Sequence, residues 1–270
     1  MNRTDVAPDL LRAPSLVAER SPTLGLPLHL LASTPSTSDE AKRGAREGAP
    51  HGATWVAEEQ TAGRGRQGRT WTSPPGENLL FSVLLRVVCP PSRLPPVAIA
   101  AGLAVRDAVA SAAPDAAPRI KWPNDVLVGD RKIAGILVEA ITAGSRVEAL
   151  VVGVGLNVHT RDFPPEIAAR ATSMALVSPA VPDRAELLAD ILGRLDHDAH
   201  VVLARGLGLL RARIEAADAL RGRRVRSDDA AEGVASGIDD EGRLLVRRDD
   251  GVTERWSAGE AHLIASPHLA

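Results

Sequence analysis

The chain has 270 residues, 44% hydrophobic and 24% charged, a globular composition with room for one large domain and a small one. Its 32 Lys plus Arg against 34 Asp plus Glu leave a net charge of -2, which excludes a global pull toward nucleic acid or an acidic membrane, so any basic site must be local. The single cysteine, Cys89, excludes an internal disulfide and points to a reducing, cytoplasmic home.

From the amino terminus, residues 1–28 are rich in Pro, Ser and Arg without sustained periodicity and read as a loosely ordered lead-in. No stretch there has the form of a signal peptide, and apolar runs elsewhere fall short of the ~18 residues of a membrane span. The segment DEAKRGARE from Asp39 to Glu47 follows Ser and Thr and predicts an exposed helix capped by Ser38 or Thr37. ATWVAEE and ENLLFSVLLRVV read as strands, and VAIAAGLAVRDAVASAA, after two prolines, as a helix of small residues packed on a sheet.

Two apolar runs, VLV and IAGILVE, separated by Gly129-Asp130-Arg131, predict a β-hairpin within Ile120–Glu139. A further strand, VEALVVGVGLNV, follows the turn at Gly144-Ser145, and residues 183–219 have the spacing of one or two helices. Grouped strands with helices segregated among them argue for a mixed-sheet α+β domain over residues 29–220. Beyond Leu220, short strands punctuated by Asp-Asp, Glu-Gly and Asp-Gly turns predict a small all-β barrel over residues 221–270.

Three segments carry chemistry. In QTAGRGRQGRTW, Arg64, Arg66 and Arg69 alternate with Gly63, Gly65 and Gly68 between Gln60 and Trp71. Guanidinium groups bind phosphate and carboxylate oxygens bidentately, and glycine lets backbone close around an anion. The same glycines formally satisfy G-x-G-x-x-G, but Ser73-Pro74-Pro75-Gly76 follows where a dinucleotide fold needs a helix. One short arginine-glycine stretch without net positive charge is also a poor RNA-binding tract. In KWPND, the Trp-Pro pair makes a rigid turn that brings together Lys121, Asn124 and Asp125, and Lys132 opens the second hairpin strand beside it. GVGLNV, from Gly153 to Val158, ends a buried strand in glycines and Asn157, where either a tight turn or close approach of a ligand accounts for them.

Taken together, GRGRQGRTW, KWPNDVLV, KIAGILVE and GVGLNV, in that order, resemble the biotin protein ligases, and the resemblance covers about residues 30–265. It implies a catalytic domain similar to class II aminoacyl-tRNA synthetases and lipoate ligases, followed by a small SH3-like barrel. It further implies formation of biotinyl-5'-AMP from biotin and ATP with Mg2+, then transfer of biotin to a lysine of a biotin carboxyl carrier protein, by a monomer or homodimer with no DNA or membrane partner.

By resemblance, Arg64, Arg66 and Lys132 are catalytic. Biotin falls to Ser36, Thr37, Ser38, Gln60, Gly63, Arg64, Gly65, Arg66, Lys132, Gly135 and Ile136, with Leu137 beside them. The nucleotide falls to Arg66, Arg69, Trp71, Lys121, Asn124, Asp125, Lys132 and Asn157. The family's Ser-Thr-Asn segment matches Ser36-Thr37-Ser38, with Ser in place of Asn at the third position. Two alternatives stand beside this reading. One is a lipoate or octanoate ligase, disfavoured by KWPND and the full arginine loop. The other is a biotin-sensing repressor, for which the 35 residues before Ser36 are too few to hold a DNA-binding domain and linker.

Overall fold

The computed structural model describes residues 6–144 and 146–264. Seven strands form one mixed sheet: β1 (Leu28–Thr34), β2 (Thr54–Gln60), β3 (Leu79–Cys89), β4 (Arg119–Lys121), β5 (Asp125–Val128), β6 (Arg131–Ala143) and β7 (Arg146–Leu156). Their order is β1-β2-β3-β7-β6-β5-β4, with β1 and β2 parallel and every other pair antiparallel. The hairpin expected around Gly129 is β5–β6, and the turn expected at Gly144-Ser145 joins β6 to β7, although Ser145 lies outside the described residues.

Strand alternation divides the sheet's work between its two faces. Leu79, Phe81, Val83, Val152, Val154 and Ile136 point into the main core, against α3 (Leu94–Ala112) and α6 (Arg184–Arg205). The segment Pro91–Ala112 is long and apolar enough to cross a membrane by length and composition, but it serves here as the buried helix of that core. On the opposite face, α2 (Thr37–Arg46) covers a smaller cluster of Trp55, Leu84, Ala149 and Val151. Farther along that same face the register aligns Ser82, Gly153 and Leu137 in one row and Leu80, Gly155 and Gly135 in the next. Three glycines in two adjacent rows leave a trough, because the strands contribute no side chains at those positions.

The expectation of a loosely ordered lead-in is corrected for residues 6–28. Helix α1 (Ala13–Arg20) packs on the core with Leu10, Ala13 and Val17 buried. Its anchor is polar: the buried Arg184 guanidinium donates to Asp9 at 2.7 and 2.8 Å and to Glu58 at 2.6 Å. Composition is a poor guide there because partners 175 residues away hold the segment. β1 falls partly in the same stretch and was not predicted, since LHLLAST at a sheet edge lacks clean alternation.

Two short helices, α4 (Pro165–Ala168) and α5 (Met174–Val177), precede α6, and α7 (Arg211–Ala217) follows it. The carboxy-terminal region holds β8 (Arg224–Ser227), β9 (Glu232–Ile238), β10 (Leu244–Arg247), β11 (Thr253–Trp256) and β12 (Ala261–Leu263). They form an antiparallel sheet in the order β11-β10-β9-β8-β12. This is the separate all-β unit expected after Leu220, and among the described residues its two end strands do not pair to close it. β10 and β9 bend at a register shift between Leu245 and Val246, and the sheet's other face is covered by the large unit.

Candidate functional site

Parallel pairing of β1 and β2 sets Thr34 beside Gln60, so the segments leaving both strands emerge at one edge of the sheet. The first is Ser36-Thr37-Ser38 at the start of α2, and the second is the glycine-arginine loop. Sequence spacing predicted Ser38 or Thr37 as the helix cap, but Ser36 occupies that position, and its side chain makes no capping bond. The Thr37 N–H is instead satisfied by Gln60 Oε1 at 2.8 Å. The freed Thr37 and Ser38 hydroxyls turn inward to Ser82, at 2.8 and 3.0 Å.

The loop folds back on itself as a narrow hairpin. Gly65 N–H donates to the Arg69 carbonyl at 2.7 Å, and Trp71 N–H to the Gly63 carbonyl at 3.0 Å. Its tip is Gln67-Gly68, both with positive φ, a conformation that favours glycine at the second position and strains glutamine at the first. A Cβ at Gly63 would lie 2.5 Å from the Trp71 carbonyl, so this glycine is required by close approach. The Trp71 indole drops into the trough, where a Cβ on Gly155 would come within 2.5 Å of its ring. Its buried N–H has no partner among the described residues.

The turn Trp122-Pro123-Asn124 joins antiparallel β4 and β5 and sets Lys121 opposite Asp125. Asn124 is tied to the hairpin strand by bonds to both the carbonyl and the N–H of Ile136, at 2.8 and 2.9 Å, and its Oδ1 accepts from Arg66 at 3.2 Å. Lys132 Nζ pairs with Asp125 at 2.7 Å and lies 5.4 Å from the centre of the Trp71 ring. Burial lowers the Lys121 pKa from the usual lysine value; Asp125 opposes that shift, while Lys132 and Arg69 add to it. Burial likewise lowers Arg66, again against the pull of Asp125. Around one carboxylate, then, the cleft holds three cations, Lys121 and Arg66 of them under desolvation, an arrangement that favours a polyanionic ligand.

The cleft has a volume of about 650 Å³, and every site residue singled out from the sequence except Gly63 lines it. Gly63 borders a second cavity of about 850 Å³ on the other side of the loop, shared with Arg64 and Arg66. Two of the lining residues are largely committed elsewhere. Ile136 is 2% exposed and its tip lies toward Gly102 in the core, whereas Gly135 and Leu137 share the cleft face. The Asn157 side chain donates to the Thr172 carbonyl at 3.0 Å and so pins the segment that bonds to Lys132 backbone. Arg64 faces outward, held by Asp39 at 2.6 Å and Glu139 at 3.3 Å.

Ser82, Arg170, Glu260 and His262 also line the cleft but were not singled out from the sequence. A serine inside the apolar run LLFSVLL was the one available signal for Ser82. Glu260, which pairs with Arg69, reaches the site from the carboxy-terminal sheet and left no trace in local sequence. Among the described residues no group of three His, Cys, Asp or Glu side chains is placed to hold a metal ion.

A model of the biotin/lipoate A/B protein ligase family matches residues 30–157, and a model of the biotin protein ligase C terminal domain matches residues 222–263. The chain is 38% identical over 228 residues to the biotin–[acetyl-CoA-carboxylase] ligase of Mycobacterium tuberculosis, covering 81% of this chain and 82% of that one. It is 34% identical over 234 residues to the bifunctional ligase/repressor BirA of Bacillus subtilis, covering 85% and 71%. Among solved structures, the biotin protein ligase of Aquifex aeolicus in complex with biotin and ATP superposes with a TM-score of 0.74 at 29% identity, over 88% of this chain and all of that one. The Leishmania major enzyme in complex with biotinyl-5-AMP gives 0.56 at 27%, over 85% and 98%.

Proposed function

The chain belongs to the biotin protein ligase family, and from that premise we propose that it activates biotin with ATP and passes the biotinyl group to a lysine of a biotin carboxyl carrier domain. The observation that carries this reading is the meeting of Arg66, Lys121 and Lys132 at Asp125, beside the polar pocket of Gln60 and Ser36-Thr37-Ser38, in one cleft.

Activation brings two anions together. The biotin carboxylate attacks the α-phosphorus, a carbon-bound oxygen becomes the acyl-phosphate bridge, and pyrophosphate leaves. Lys132 and Arg66 offset the charge that gathers there, and no general base is needed because the carboxylate is already ionised at neutral pH. Trp71 offers an unpartnered buried donor and a flat ring over the Gly135–Gly155 floor, which suits a planar base. Magnesium would enter on the triphosphate, and the carboxylates lining the cleft that could approach it are Asp125, Asp130 and Glu260. In the second step a carrier lysine amine attacks the acyl carbon, the amide forms and AMP leaves. A loop closed over the mixed anhydride keeps water from it until then.

Mass spectrometry of a biotin carrier domain after incubation with the protein, biotin and Mg-ATP tests the proposal. One biotin on one lysine is the expected result, and an unmodified carrier together with no pyrophosphate release would contradict it. Lipoylation is the competing reading within the matched family, and the match of residues 222–263 to the biotin-specific domain favours biotin. Stabilisation against heat by biotin but not by lipoate separates them.

A further inference from the structure

The hydroxyl groups at the floor of the cleft have a direction. Three contacts join four side chains: Thr37 Oγ1 to Gln60 Oε1 at 3.1 Å, Thr37 Oγ1 to Ser82 Oγ at 2.8 Å, and Ser38 Oγ to Ser82 Oγ at 3.0 Å. Each contact needs one hydrogen, and the three hydroxyls hold one apiece. The Gln60 amide orientation is not free, because the Thr37 backbone N–H donates to the same atom at 2.8 Å, and only an oxygen can accept it. Gln60 Oε1 therefore cannot supply a hydrogen, so Thr37 must donate to Gln60. Ser82 must then donate to Thr37, and Ser38 to Ser82. Reversing any member leaves two lone pairs facing each other in a region where Thr37, Ser38 and Ser82 are 3%, 5% and 0% exposed.

The two ends of this chain border the cleft and carry opposite character. At one end Gln60 turns its NH2 group away from Thr37, as a donor with no partner among the described residues. At the other, Ser38 has spent its hydrogen and offers only lone pairs. Gly153 makes room for that end: a Cβ there would lie 2.9 Å from Ser38 Oγ.

We infer that Ser82, working through Ser38, is a positioning residue that fixes the cleft as donor at Gln60 and acceptor at Ser38, and so selects a ligand edge with a carbonyl oxygen beside an N–H. The ureido ring of biotin has such an edge. This inference rests on the biotin reading and adds to it a rule for the third position of the Ser-Thr-Ser segment. Where an asparagine could present either an oxygen or an amide nitrogen, Ser38 is held as an acceptor by Ser82.

The probes are biotin and the two cyclic carbamate analogues in which one or the other ring N–H is replaced by oxygen. Calorimetry on the full chain gives dissociation constants for wild type, Ser38→Ala and Ser82→Ala. In wild type one carbamate should bind about tenfold more weakly than biotin, the value of one hydrogen bond replaced by two facing lone pairs. That ratio should fall close to one in Ser38→Ala, and to about threefold in Ser82→Ala, where the released Ser38 hydroxyl can donate as well as accept. A purely structural role would weaken biotin and both analogues by the same factor. An unchanged ratio in both variants would overturn the inference while leaving biotin binding intact. Failure of wild type to bind biotin at all would instead remove the reading on which it rests.

Discussion

Lys132 and Lys121 flank the same carboxylate but differ in burial, and that difference separates their testable behaviour. Lys132 is paired with Asp125 in the free protein, and the proposed reaction assigns it the charge that gathers where carboxylate and phosphate meet, so Lys132→Ala should abolish pyrophosphate release while the protein stays folded. Normal release would remove it from the site. Lys121 is shifted downward by burial, so part of its population is neutral at alkaline pH in the free protein. A bound triphosphate restores its affinity for a proton. Nucleotide binding should therefore take up protons at pH values between the lowered pKa and the ordinary lysine value, seen as an enthalpy that varies with buffer ionisation heat, and Lys121→Met should abolish that variation. Arg66 belongs to the loop that, in the proposed reaction, acts as a lid over the adenylate, and its bond to Asn124 is one of the ties holding that loop to the rest of the cleft. Arg66→Gly should cost about 1.5–3 kcal/mol of closure, the value of a hydrogen bond made by a charged group. Adenylate formed by Lys132 should then escape and acylate exposed lysines at random. Biotin blots of albumin incubated with Mg-ATP, biotin and the variant should show labelling absent with wild type, and an unlabelled albumin beside undiminished pyrophosphate release would deny Arg66 that role.

At the scale of elements, the first turn of α6 joins three distant parts of the chain. Arg184 is 1% exposed and binds Asp9 before α1, Glu58 on β2 and the Asn78 carbonyl ahead of β3. Burial alone would lower its pKa, but the bonds to Asp9 and Glu58 raise it above the usual arginine value. Arg184→Met leaves Glu58 buried without its partner, and breaking such a pair costs about 3–5 kcal/mol. Asp9 adds a pH signature. Its pKa is lowered in the folded protein: burial raises it, and the Arg184 bonds more than offset that. Its contribution is present above the unfolded carboxylate value and is lost as pH falls through the folded one, so the stability gap between wild type and variant should narrow below about pH 4. Urea midpoints measured across that range check it, and a constant gap would mean the pair with Asp9 is not felt. The same network shows what local sequence can and cannot reveal. Strands β2, β3, β5, β6 and β7 and helices α2, α3 and α6 followed from apolar period and turn residues, and the site motifs were visible because glycine, arginine and lysine stand out in short stretches. Asp9, Glu58 and Arg184 look like ordinary surface charges until the fold brings them together, and α1 was missed with them. Ser82 was legible only as a polar residue in an apolar strand, since its partners arrive 44 and 45 residues away.

For the whole molecule, the question is whether the carboxy-terminal sheet is a separable module. Turn chemistry after Leu220 suggests a small barrel whose thin core leans on the large domain, and Val225, Ala235, Ile238, Leu244, Val246 and Ala261 belong to the same contiguous core as α3 and α6. The seam is also stitched by polar contacts. Trp122, 2% exposed, donates its indole N–H to the Gly242 carbonyl at 2.9 Å, and Arg223 pairs with Asp130 at 2.7 Å. Glu260 holds Arg69 of the lid, and Gly242 lies so close to Pro95 and Pro96 that a Cβ would come within 3.0 Å of their backbone. A chain ending at Leu220 would expose much of Trp122 and the apolar side chains around it, at about 1.5–3 kcal/mol for each large side chain returned to water. Two or three such losses approach the ~5–15 kcal/mol that holds a domain folded. Truncation should therefore lower the urea midpoint of the remaining unit and not merely its activity, and full-length protein should unfold in one transition reported alike by tryptophan fluorescence and far-UV circular dichroism. Glu260→Gln provides the contrast, since it loosens the lid without opening the core: its midpoint should match wild type while protease cuts the Gly63–Trp71 loop faster. A truncated chain with the wild-type midpoint, or a full-length protein that unfolds in two steps, would mean that the sheet is an independent module docked on a self-sufficient catalytic unit.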